Sequence, residues 1–203
     1  MEKESVKKIA IIFPGMGYHK DKPLLYYSGR IARAFGFELF DIEYHDMPQK
    51  IQGDKKLILE AGMRAYTCAT EQLSEVDLSC YEEILLIGKS IGTVVAAKYN
   101  LDHRLGANQL WYTPVEDTFD YADGNIEAFI GDNDPWSDIS KVKELANTCR
   151  IPLSVYHGCN HSLESGDTIS DLNTILDVME KTKQFIGAKH HFVTEETLKA
   201  FSR

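Results

Sequence analysis

Ile84-Leu85-Leu86-Ile87-Gly88-Lys89-Ser90-Ile91-Gly92-Thr93 decides how this chain is read. The apolar run predicts a buried strand over 83–87, and the small apolar residues after Ser90 predict a helix over 91–99 that lies against a sheet. Between them stands G-x-S-x-G, made of Gly88, Lys89, Ser90, Ile91 and Gly92. In a strand–turn–helix context the pattern has a physical meaning. The serine sits on a very sharp turn, and the positions two before and two after it are pressed together, so that side chains there would clash. Such a turn lifts the hydroxyl clear of the sheet and aims the first N–H groups of the helix, Ile91's among them, at the space beside it, where an oxyanion would be stabilised. Without chemistry, the same letters would be a glycine-rich turn with a capping serine. Phosphate binding through Lys89 would need G-x-x-x-x-G-K-[ST], which is absent.

Outward from this turn, apolar runs alternate with amphipathic stretches, with no internal repeat or low-complexity segment. Strands are expected over 7–13, 37–44, 83–87, 109–112, 126–130 and 153–156. Helices are expected over 23–35, 54–73, 91–99, 140–148 and 170–185. Six near-continuous apolar strands, most followed by a helix, predict an α/β class fold: a doubly wound parallel sheet in three layers, with ligands held beyond the carboxyl ends of the strands.

The bulk properties narrow the partners. The 203 residues carry a net charge of −9, so that a nucleic-acid backbone or an anionic membrane surface is a poor partner. The apolar run after Lys8 stops at Pro14-Gly15, too short for a leader or a span, and a cytoplasmic location is expected. The four cysteines form no C-x-x-C pair, and the histidines form no metal cluster, so neither metal nor cofactor is expected.

A serine hydroxyl is a weak nucleophile unless a base is in reach and a third group holds that base in the right tautomer. Two loops that leave the last two expected strands carry such groups. One is Gly131-Asp132-Asn133-Asp134-Pro135-Trp136; the other is His157-Gly158-Cys159-Asn160-His161-Ser162. Asp134 and Asp132 are rival acids, and one of the two serves the turn itself. His157 rivals His161 as the base but lies nearer the strand end.

These residues together resemble the α/β-hydrolase superfamily over about residues 7–185. The resemblance implies Ser90 as nucleophile and His161, preceded by Gly158 and Asn160, as base. The acid follows a G-x-x-D pattern, Gly131 to Asp134. It also implies that Pro14-Gly15-Met16-Gly17-Tyr18 supplies a second oxyanion donor beside Ile91, the Met16 N–H or else that of Gly17. Gly15, Gly17, Tyr18, Lys89 and Trp136 are expected around the substrate, with Tyr112 and Phe119 as further flanking aromatics. The chain starts at the strand that feeds the oxyanion loop. The family's first two strands are therefore expected to be missing, with order 2-1-3-4-5-6. The segment 113–125 is too short for a cap, so the site should be open. One domain is expected over 1–203, with an appendage over 187–203 in which Thr194, Glu195 and Glu196 suggest a short helix. The implied function is hydrolysis of a carboxylic ester or thioester, a small-molecule acyl substrate, by a monomer or a homo-oligomer. An acyltransferase, a peptidase or a silent binding protein on the same fold stand as alternatives.

Overall fold

A computed structural model of the chain describes residues 6–48 and 55–188. Expectations for His190, His191, the helix near Thr194 and the helix start at Asp54 lie outside the described residues.

Six strands form one sheet: β1 (Lys8–Phe13), β2 (Glu38–Asp41), β3 (Glu83–Lys89), β4 (Asn108–Tyr112), β5 (Ile126–Gly131) and β6 (Leu153–Tyr156). Their order is β2-β1-β3-β4-β5-β6, as expected, and every pairing is parallel. Among the described residues five α-helices cover the sheet: α1 (Pro23–Ala34), α2 (Lys55–Leu73), α3 (Ile91–His103), α4 (Ile139–Thr148) and α5 (Thr168–Gly187). The chain goes outward from β1 to β2 and then returns past β1 to β3. The sequence of strands therefore reverses between β1 and β3, the place where this class builds its sites.

Strand parity sorts the core into two layers, because successive side chains point to opposite faces. Ala10, Ile12, Leu85, Ile87, Leu110, Tyr112 and Phe129 pack with Leu24 and Leu25 of α1 and with Val178 and Phe185 of α5. Ile9, Ile11, Phe13 and Leu86 face Ala65 of α2 and Val95 of α3, and Trp111, Ala128 and Ile130 face Val142 of α4. A buried polar chain ties the first layer together. The Thr182 hydroxyl lies 2.6 Å from Tyr112, which lies 2.8 Å from Ser28, whose hydroxyl donates to the Leu24 carbonyl. That last bond fixes the direction of the others: Thr182 donates to Tyr112, and Tyr112 to Ser28.

Some boundaries move for local reasons. β2 is four residues long rather than eight, because it is an edge strand paired only with β1, which leaves the sheet at Pro14. β3 runs two residues further than the apolar pattern, so that Lys89 is part of the strand. α4 and α5 start earlier than their apolar faces, at aspartate caps: Asp138 accepts from the Ser140 and Lys141 N–H groups, and Asp167 from that of Ser170. Among the described residues no helix is long and apolar enough to cross a membrane.

Candidate functional site

Ser90 occupies the turn between β3 and α3 with φ 55° and ψ −125°. This is a strained conformation for a residue with a side chain, costing on the order of 1–3 kcal/mol. The surroundings hold it there. The Ser90 N–H donates to Tyr112 O at 2.9 Å, and Ser90 O accepts from the Thr93 N–H at 2.8 Å and the Thr93 hydroxyl at 2.6 Å. Thr93 has spent its only hydroxyl proton, so the contact of 2.7 Å with Thr118 has Thr118 as donor. The segment 113–125 thus braces the serine turn from below. Glycine is required on both sides. A Cβ on Gly88 would lie 2.7 Å from Thr93 Cα, and one on Gly92 would lie 2.1 Å from the Phe13 carbonyl oxygen at the end of β1.

The two loops expected to meet Ser90 do so. His161 Nε2 is 2.7 Å from Ser90 Oγ, and His161 Nδ1 is 2.6 Å from Asp134 Oδ2. An ionised carboxylate can only accept, so Nδ1 carries the proton and Nε2 accepts from the serine hydroxyl. The second oxygen of Asp134 accepts the Trp136 N–H at 2.9 Å. The loops meet because β5 ends in glycine: a Cβ on Gly131 would lie 2.0 Å from the Cys159 carbonyl oxygen. Beyond this crossing, Asn160 Oδ1 accepts from the Ser162 N–H at 2.7 Å, and the Leu163 side chain is fully buried, which anchors both flanks of His161.

The rival pair is also made, separately. His157 Nδ1 lies 2.7 Å from Asp132 Oδ2, and Asp132 Oδ1 accepts the Gly158 N–H at 2.6 Å. These bonds hold the Asp132 carboxyl below the usual carboxylate range, the His157 contact most strongly. The His157 side chain is 99% exposed.

The loop after β1 closes on itself: Gly15 N–H donates to Tyr18 O at 3.1 Å and Tyr18 N–H to Gly15 O at 3.2 Å. Those bonds leave out the N–H groups of Met16 and Gly17, the central residues of the turn. The turn lies against the serine, because a Cβ on Gly15 would be 3.3 Å from Ser90 Cβ. Ile91, the first residue of α3, has an N–H that no carbonyl of its own helix can accept.

Several expected flanking residues are elsewhere. Tyr18 is buried, its hydroxyl accepting the Leu24 N–H at 3.1 Å, and Lys89 is fully buried, so neither lines open space around Ser90. Tyr112 is inside the first core layer, and Phe119 packs edge-on against Trp111. Trp136 does stand at the rim, 39% exposed, its ring 5.8 Å from that of His161. Thr93 and Thr118 were not singled out by the sequence. A threonine three residues after the turn serine was the available signal, since it can reach back to that residue's carbonyl.

Electrostatically, burial pushes the His161 imidazole below its ordinary value, the Lys89 charge adds to this, and the hydrogen bond and charge of Asp134 oppose it. A mostly neutral imidazole, held by a buried carboxylate and touching a hydroxyl, can take that hydroxyl's proton as it attacks an electrophile.

No protein-family model and no curated protein matches the sequence. Solved structures do. An α/β serine hydrolase homologue from Coxiella burnetii superposes with TM-score 0.64 at 16% identity, covering 89% of this chain and 86% of its own. A serine hydrolase without a lid from Xanthomonas campestris gives 0.62 at 14% over 92% and 84%. Est1E of Butyrivibrio proteoclasticus, solved with ferulic acid bound, gives 0.65 at 11% over 89% and 88%. The chain has the α/β-hydrolase fold, and among the described residues no cap domain is inserted into it.

Proposed function

We propose that this α/β-hydrolase fold carries a serine hydrolase acting on a carboxylic ester or thioester. The observation that supports it most is the unbroken chain Ser90–His161–Asp134, with contacts of 2.7 Å and 2.6 Å, drawn from three different strand ends. Ser90 Oγ attacks the acyl carbon while His161 Nε2 takes its proton. Asp134 holds the imidazole in the tautomer that can accept and stabilises the cation that forms. In this reading the Ile91 N–H, which its own helix does not use, and the Met16 N–H, left out of the Gly15–Tyr18 bonds, bind the oxyanion. His161 then returns the proton to the departing alkoxide or thiolate. In the second half it draws a proton from water, the hydroxide adds to the acyl-serine, and collapse breaks the bond to Ser90 Oγ, which takes that proton back from His161 as the acid leaves. An acyltransferase would differ only in letting an alcohol or amine replace that water.

Treatment of the full chain with a fluorophosphonate, followed by intact mass measurement, tests this. One adduct is expected on Ser90, absent in Ser90→Ala and slowed in His161→Ala. Short p-nitrophenyl esters and thioesters should turn over. A chain that takes no adduct and turns over neither substrate is a binding protein, and the reading is wrong.

A further inference from the structure

Lys89 directly precedes the nucleophile, and the fold takes it inside. β3 extends to Lys89, which therefore shares the parity of Leu85 and Ile87 and points into the layer beneath α1 and α5. Its side chain is 0% exposed, and its Nζ has no hydrogen-bond partner. The ammonium lies 5.0 Å from the centre of the Tyr18 ring, and Lys22 Nζ lies 5.2 Å from the same ring. The side chain also passes under the turn after β1: a Cβ on Gly15 would be 3.4 Å from Lys89 Cγ. An unpaired amine this deep is costly, and a leucine or methionine would fill the space without that cost.

The charged and titratable groups around it define what it can do. Burial pushes the Lys89 amine down to about 7, Lys22 at the start of α1 pushes the same way, and Asp134 on the loop after β5 pulls it back up. Tyr18, from the turn after β1, is itself pushed up to about 12 by burial, so it remains a neutral phenol. His161, on the loop after β6, feels the Lys89 charge as a repulsion.

We infer that Lys89 is a positioning residue for the proposed hydrolase, an interior cation that opposes protonation of His161 and keeps Nε2 free to accept the Ser90 proton as the medium becomes acidic. It acts through His161 and Asp134 and touches no substrate. As the pH falls, the amine takes up its proton in the range where an ordinary imidazole would begin to charge. The imidazolium beside it is then disfavoured further, and the serine keeps its base. The inference rests on the reading of Ser90 as nucleophile.

The test is the pH dependence of fluorophosphonate labelling of Ser90 in the full chain, with wild type compared with Lys89→Met, which keeps length and removes charge. The acid limb of Lys89→Met is expected to move toward neutral pH. At about pH 6, its rate relative to its own plateau should fall several-fold below that of wild type. Lys89→Gln supplies the same comparison if the methionine variant does not fold. In wild type, the carbon-13 signal of one lysine ε-carbon should titrate near neutrality and be absent from the variant. Normalised profiles that superpose would make Lys89 a buried core residue only, and so would the lack of a lysine titrating between about pH 6 and 8. If wild type labels and the profiles superpose, this inference falls while the hydrolase stands. If wild type never labels, both fall.

Discussion

Two aspartate–histidine pairs bridge the same two loops. Asp134 meets His161 at 2.6 Å and Asp132 meets His157 at 2.7 Å, so geometry hardly separates them. Burial does. The Asp134 side chain is 0% exposed and that of His161 18%, against 29% for Asp132 and 99% for His157. Water screens the outer pair, which does little more than hold the strand-end turn through the Gly158 N–H. The inner pair lies where a charge is expensive, so its imidazole stays neutral and its second nitrogen is offered to a hydroxyl. A carboxylate and an imidazole in contact are therefore not yet a general base; desolvation and a third partner make them one.

The sharpest way to break the comparison is to exchange carboxylate for amide in each pair. Asp134→Asn should lower ester turnover roughly a thousand- to ten-thousand-fold, because the amide stabilises the wrong tautomer. Asp132→Asn should leave it within about a factor of two. Equal losses would show that the pairs work as one unit. Gly131→Ala comes next, since it strikes the crossing on which both pairs depend. Its Cβ would meet backbone at 2.0 Å, and a loss of about 3 kcal/mol in unfolding free energy is expected by urea titration.

A smaller effect lies in pH. Because burial holds His161 below its ordinary value, labelling of Ser90 should persist as the pH falls past the normal imidazole range and be lost only lower. The stability that comes with a depressed folded value is intact above the unfolded value and is lost as the pH falls through the folded one. The midpoint of thermal unfolding should therefore fall in wild type between about pH 7 and 5, and fall less in His161→Ala. The smallest effect belongs to His157→Ala, expected to change turnover by less than about twofold and the midpoint of melting by about a degree. A larger loss would give the outer pair a part in the chemistry.

Much of this was legible in the letters. The strands announce themselves as continuous apolar runs, and their alternation with helices specifies a parallel sheet without any contact being known. The serine turn and the two later loops were found because glycine, aspartate and histidine stand where the strands end. Side-chain direction near those ends was less legible. Tyr18, Tyr112 and Phe119 were expected to flank the substrate because they are aromatic and near the site, but parity and turn geometry send them inward. Lys89 was expected beside the substrate and lies inside instead for a related reason: a lysine after Ile87-Gly88 reads as the end of a strand, and only β-pairing of Gly88 with Trp111 and of Lys89 with Tyr112 carries the strand on and sets the face. The outer Asp132–His157 pair was hidden because Asp132 was weighed only as a rival acid and His157 only as a rival base, each against the inner pair.

The contact between Gly92 and the end of β1 has a consequence for how such a protein can diversify. With the helix start seated on the Phe13 and Pro14 carbonyls, the Ser90 turn and the end of β1 form one close-packed block. For the proposed hydrolase, selectivity for one acyl group over another would then be written in the outer rim, where Trp136 stands, and could be rewritten there while this block stays fixed.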